Sequence, residues 1–174
     1  LEYASAAAEL CGERPDPQWS AVAAGLRIPH FADGTTREHA GYDGEMIKQA
    51  DANLLGYPLG IVTGREAQLR DLEYYERRID PRNGPAMSYS VFAIQYARLG
   101  MAEKACEMFR RSYLPNLRPP FGVFAETATS GNPYFMTGAG GMLQAVLFGF
   151  GGLEITADGL VQRPAVLPPQ WKNL

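Results

Sequence analysis

GPAMSYSVFAIQYARLGMAEKACEMFRRSYL, residues 84–114, reads as two helices with a very short joint. Residues 86–99 are strongly apolar and free of internal breakers. Gly100 follows at the place where a helix ends in the left-handed conformation that glycine adopts without strain. Residues 102–114 follow at once as the antiparallel neighbour of that helix. A connection as short as Gly100-Met101 predicts an antiparallel helical hairpin.

Working outward, the same pattern recurs toward the N-terminus. Residues 2–11 (EYASAAAELC) are alanine-rich helix formers. Gly12, Pro15 and Pro17 stop that run. Asp16 is a candidate N-cap for a second helix, with Pro17 in its first turn and Trp19, Val22, Ala23 and Leu26 at helical spacing. Residues 29–44 form a long polar loop, of the kind that carries function. Met46, Ile47, Ala50, Leu54 and Leu55 predict a third helix. Leu69, Leu72, Tyr75 and Ile79 predict a fourth, and residues 80–85 a loop.

Toward the C-terminus, 115–137 is loop-rich. The apolar run 138–149 predicts a helix buried on all sides. From Gly151 the period changes, and LEIT-ADG-LVQRPAV reads as strand, tight turn and strand. The chain is therefore mainly α, with paired helices in series as in a hairpin array or toroid, and the start of a β module at its end.

Composition narrows the function. With 174 residues, 46% hydrophobic and 20% charged, the chain is globular. Its formal charge of -3 disfavours a nucleic-acid surface. The run from Gly138 to Leu153 is interrupted by Gln144 and several glycines, so no membrane span is expected. The chain opens on Leu1 rather than Met; a preceding segment is expected, and localisation is left unassigned. Two cysteines, Cys11 and Cys106, are too few for a disulfide framework and are expected to pack as small apolar side chains in helices. His30 and His39 lack partners at ligand spacing, so no metal is expected. No phosphate-binding loop or dinucleotide fingerprint occurs, and no cofactor is expected.

Several groups carry potential chemistry. Lys48-Gln49-Ala50-Asp51 brings hydrogen-bond donors suited to sugar hydroxyls to the start of the predicted third helix, although a solvated helix start fits as well. Glu126 follows Phe121, Val123, Phe124 and Ala125, an apolar setting that suits proton transfer, or simply the edge of a hydrophobic cluster. The Gly131-Asn132-Pro133-Tyr134 turn and the glycines at 138, 140 and 141 let backbone approach a ligand. Ser88 can cap its helix or bind a ligand. Asp43 and Glu45 are two carboxylates before a predicted helix N-terminus, where the dipole alone favours them. Trp19, Trp171 and the nine tyrosines can stack on sugars or fill the core.

Taken in order, IKQADANLLGYP, GPAMSYSVFAIQYARLG, the FAET loop, NPYFMTGAGGMLQAVLFGFGGLEIT and LPPQW resemble the C-terminal part of the catalytic region of glycoside hydrolase family 65. That family includes acid trehalases, kojibiose hydrolase, protein glucosylgalactosylhydroxylysine glucosidases and several disaccharide phosphorylases. The resemblance runs from about Leu10 to Leu174. It implies that residues 1–150 are the C-terminal portion of an (α/α) barrel of six hairpins, and that 151–174 begin a small β domain. It also implies an inverting mechanism on α-glucosides. Lys48 and Gln49 match the family's Lys-Gln pair for the glucose in the cleaved subsite, and Glu126 matches the general base of its hydrolase branch.

The phosphorylases lack that base and read Thr-Ser-His-Gly-Pro-Ser and His-Ala-Ala where this chain has Pro81-Arg82-Asn83-Gly84-Pro85-Ala86 and Asn132-Pro133-Tyr134-Phe135. The hydrolase branch is therefore favoured. Two alternatives stay open: an inverting phosphorylase, and a non-catalytic carbohydrate-binding or scaffold piece. The family's general acid lies in an acidic loop upstream of KQAD. GYDGE at 41–45 is no counterpart, so the acid and an N-terminal part of the same protein are expected on preceding polypeptide. A partial barrel would be inactive alone and would expose helix faces that favour self-association.

Overall fold

The computed structural model describes residues 1–172. Six α-helices lie among them: α1 (Glu2–Leu10), α2 (Pro17–Gly25), α3 (Arg65–Glu76), α4 (Ala86–Arg98), α5 (Ala102–Tyr113) and α6 (Met136–Gln144). Four short strands complete the set: β1 (Leu117–Arg118), β2 (Val123–Phe124), β3 (Leu153–Thr156) and β4 (Gly159–Gln162). They pair as two antiparallel hairpins, β1 with β2 and β3 with β4. The molecule is mainly helical with two small sheets. No helix among the described residues is long and apolar enough to cross a membrane.

α4 is the axis of the core. Phe92, Ala93, Ile94, Gln95, Tyr96 and Ala97 are consecutive and all buried, so this helix is covered on every side. α5 runs back along it, turning Ala105, Cys106, Met108 and Phe109 inward. The joint has the expected left-handed glycine: Gly100 adopts φ 76°. The N–H of Gly100 bonds the carbonyl of Ala97 at 2.8 Å and that of Met101 bonds Tyr96 at 2.9 Å, which satisfies two open carbonyls at the helix end.

α6 continues into a wider, π-helical turn at Ala145–Phe150. The expected all-round burial of 138–149 is not what forms. Leu143 and Leu147 are exposed, while Gly138, Ala145, Gly149 and Phe150 face inward. The reason is steric. A Cβ on Gly141 would lie 3.1 Å from Ser90, and one on Gly149 would lie 3.1 Å from the Cα of Ile94. This helix turns its glycines to α4 so that the two backbones approach closely, while Leu143 and Leu147 are left outside.

The predicted third helix is also not formed. Residues 45–50 are non-helical, and only Ala52–Leu55 make a short 3-10 turn. Ile47 instead bridges in parallel to Ile79: its N–H bonds Arg78 O at 2.8 Å, and the Asp80 N–H bonds Ile47 O at 3.0 Å. A long-range backbone pair outweighs the local helical spacing there. Thr36 pins the preceding loop to α3. Its N–H and hydroxyl both donate to the buried Asp71, at 2.9 and 2.7 Å, and its carbonyl accepts from the Tyr75 hydroxyl at 2.6 Å.

At the N-terminus α1 and α2 form as expected, and Asp16 Oδ1 accepts from the Gln18 N–H at 2.9 Å as the cap. Neither helix buries a residue. Cys11 is consequently exposed rather than packed, whereas Cys106 is buried as expected. At the other end β3 and β4 pair from Leu153–Gln162 to Thr156–Gly159 around Ala157-Asp158. The tail then returns to the core, where Trp171 packs on Phe150 with ring centres 4.8 Å apart. Residues 173 and 174 of the expected β module lie outside the described residues.

Candidate active site

The site is built where the N-terminus of α4 meets the 115–135 loop. After α5 the chain makes a one-turn 3-10 segment, Leu114–Asn116, and Asn116 is buried. Its side-chain amide donates to the carbonyls of Ala125 and Glu126, each at 3.0 Å. Its own carbonyl accepts the Ala125 N–H at 2.9 Å. The Glu126 carbonyl also receives the Ala86 N–H, one of the open donors of the first turn of α4, at 3.1 Å. Arg118 braces the next stretch by donating to the carbonyls of Thr127, Ala128 and Ser130. The backbone of Glu126 is therefore held from three sides.

The Glu126 side chain is less enclosed than its sequence setting implies. Phe124 and Ala125 are buried beside it, but Phe121 is exposed. The chain reverses at Gly122 (φ 66°) to pair Leu117 with Phe124, which leaves Phe121 at the hairpin tip. The carboxylate keeps 29% of its side-chain surface open. Lys48 Nζ lies 3.5 Å from Oε1, and Asn132 Nδ2 lies 3.5 Å from Oε2. Lys48 is mostly exposed, so this pair contributes roughly 0–1 kcal/mol to stability. It orients the carboxylate more than it stabilises the fold.

Lys48 and Gln49 thus occupy a bend rather than a helix start. Both line an open cavity of about 390 Å³, together with Glu38, Tyr42, Met46 and Asp51. That volume is in the range of small-molecule sites. Glu126 is not part of the cavity wall; Lys48 stands between the two. A larger cavity, about 640 Å³, lies at the opposite end of α4 against Arg98, Leu99 and Gly100. Thirteen residues of helix put it roughly 20 Å from Ala86. Its guanidinium groups are engaged: Arg65 donates to Leu99 O, Arg98 to Phe148 O, and Arg163 pairs with Glu154.

The remaining sequence candidates sort as follows. Ser88 does not cap α4: Pro85 is the N-cap and Ser88 lies a turn later, buried, with an unpartnered hydroxyl. Asp43 and Glu45 do not precede a helix, since none forms there. The Asp43 N–H bonds Glu45 Oε2 at 3.0 Å, and N–H donors of Glu45 itself and Asp43 hold the Glu45 carboxyl below the usual carboxylate range. Two groups at the site carry no local sequence signal. One is Asn116. The other is Glu38, whose Oε2 accepts the Ala52 N–H at 3.1 Å. Burial, reinforced by the charge of Asp51, pushes the Glu38 carboxyl up to about 7 against the Ala52 hydrogen bond.

Comparison with known proteins bears on this geometry. No model of a known protein family matches the chain. It is 48% identical over 174 residues to a kojibiose hydrolase of Mucilaginibacter mallensis, covering 100% of this chain and 26% of that protein. It is 40% identical over 169 residues to a protein-glucosylgalactosylhydroxylysine glucosidase of Danio rerio, covering 94% of this chain and 25% of the relative. A periplasmic/secreted acid trehalase of Candida glabrata is 35% identical over 172 residues, 91% of this chain and 14% of the relative. The chain spans about a quarter of the length of the first two of these relatives. The resemblance read from the motifs holds: the matched proteins carry names of its hydrolase branch.

Proposed function

We propose that this chain, a relative of glycoside hydrolases named for α-glucosides, supplies the water-activating half of the active site in a longer inverting α-glucoside hydrolase. The observation that carries the proposal is the half-open Glu126 carboxylate, oriented between Lys48 and Asn132 on a backbone fastened to the start of α4. In this reading Glu126 accepts a proton from water as the water oxygen bonds to the anomeric carbon. The bond to the leaving oxygen breaks on the opposite face. A general acid from polypeptide outside this chain protonates that oxygen, so the sugar leaves with inverted configuration.

Lys48 and Gln49 donate to hydroxyls of the glucosyl unit, and the cavity beside them takes part of it. The helices are read as part of a barrel of hairpins through residue 150, with the β3–β4 hairpin opening a β module over 151–174. The three relatives are named as a hydrolase, a glucosidase and a trehalase, and none as a phosphorylase, which supports water rather than phosphate as the acceptor.

The test is Glu126→Gln in the full-length enzyme with kojibiose as substrate. The proposal predicts a rate lower by about a hundred- to ten-thousandfold with the melting temperature retained. Near-normal glucose release by the variant would refute it.

A further inference from the structure

The stretch that carries Lys48 and Gln49 has no helix to hold it, yet it must be held if those side chains are to face Glu126. One anchor is the pairing of Ile47 with residues 78–80. The other is Glu38. This residue extends a segment fixed to α3 by the Thr36–Asp71 and Thr36–Tyr75 hydrogen bonds. Its Oε2 reaches across 14 residues to the N–H of Ala52, the first residue of the 3-10 turn that follows Asp51. Residues 48–51 are thereby strung between two fixed points. Glu38 also lines the cavity shared by Lys48 and Gln49, while its Oε1 is buried and has no partner.

We infer that Glu38 is a positioning residue for glucoside binding: by accepting the Ala52 N–H it clamps the Lys48–Asp51 bend, and so aims Lys48 and Gln49 at the sugar. This rests on the reading of Lys48 and Gln49 as glucosyl contacts. Glu38 does not reach the reacting atoms itself, since the oxygen not used on Ala52 is shut off from solvent. The charge that acts on the Glu38 carboxyl is that of Asp51 from the bend, while the N–H groups of Ala52 and Asp51 donate toward it. Asp51 disfavours a second negative charge beside it, so the carboxyl is kept there for its geometry rather than as half of an ion pair.

The experiment compares Glu38→Ala and Glu38→Gln in the full-length enzyme, by kinetics on kojibiose and by hydrogen exchange of the Ala52 amide. Glutamine keeps a carbonyl oxygen for Ala52 and alanine does not. In Glu38→Ala, KM should rise about tenfold with kcat changed less than about threefold, and Ala52 exchange should accelerate about tenfold, the equivalent of one hydrogen bond. Glu38→Gln should return both values to near wild type. Glu38→Met, which fills the same space without an acceptor, replaces alanine if that variant does not fold. Unchanged Ala52 exchange, or accelerated exchange with unchanged KM, would overturn the inference. Exchange needs no substrate, so a failure of the α-glucoside reading appears as absent turnover while the clamp still shows in the Ala52 amide.

Discussion

Replacing Asn116 with alanine removes the side chain that fastens the Glu126 backbone to the end of α5. The amide nitrogen donates to two buried carbonyls, Ala125 O and Glu126 O, each at 3.0 Å. Glu126 O keeps a second donor, the Ala86 N–H. Ala125 O loses its side-chain donor, and a buried carbonyl left without a partner costs about 1–3 kcal/mol. Adding the weaker loss at Glu126 O, the variant should be less stable by roughly 2–3 kcal/mol. In a cooperative unit of about 150–250 residues that is a melting temperature lower by about 5–10 °C. Asn116→Asp should be worse than alanine, because it turns a carboxylate oxygen toward the same two carbonyls. Circular dichroism melts of the three proteins decide the matter. A drop below about 1 °C for alanine, or an aspartate variant more stable than the alanine one, would refute this account of how the loop is held.

Three further outcomes follow from the same packing. Gly138→Ala sets a methyl 2.8 Å from Phe124, 2.9 Å from Phe135 and 3.1 Å from Ala86, the residues that back the Glu126 loop. It should cost about 1–3 kcal/mol in a urea denaturation and lower activity with it. Asp71→Ala frees both donors of Thr36 in a buried site, and the same denaturation should show a loss of about 2–3 kcal/mol. The raised Glu38 carboxyl makes the folded chain bind more protons than the unfolded one between its ordinary value of 4.5 and about 7. Its contribution to stability is therefore full below 4.5 and is lost as pH rises through about 7. The stability difference between wild type and Glu38→Gln, measured by urea from pH 4 to 8, should fall along that range and level off above it.

The α4–α5 hairpin was legible because everything that makes it is local: an apolar run, a glycine at the cap and a joint of two residues. The β3–β4 hairpin was legible for the same reason. Residues 46–55 show helical spacing and still do not form a helix, because Ile47 gives its backbone to residues 78–80 and no local window contains that partner. The one-sided burial of 138–149 is not legible from hydrophobicity, because size decides it: Gly141 and Gly149 lie against α4 while Leu143 and Leu147 face out. Lys48 and Glu126 stand 78 residues apart in sequence, and only the order of several motifs linked them before the fold brought them to 3.5 Å. Glu38 and Asn116 act on main-chain groups, which every residue carries, so nothing in their own sequence neighbourhood points to those partners.

The central claim is that Glu126 draws the proton from the attacking water. An alanine at this position removes the proton acceptor, and azide, which needs no deprotonation, can take the place of water. Full-length Glu126→Ala incubated with kojibiose and sodium azide, followed by proton NMR, reads the outcome directly. The account predicts little free glucose and accumulation of β-glucosyl azide. Undiminished glucose release without azide, or an α-configured azide product, would contradict it.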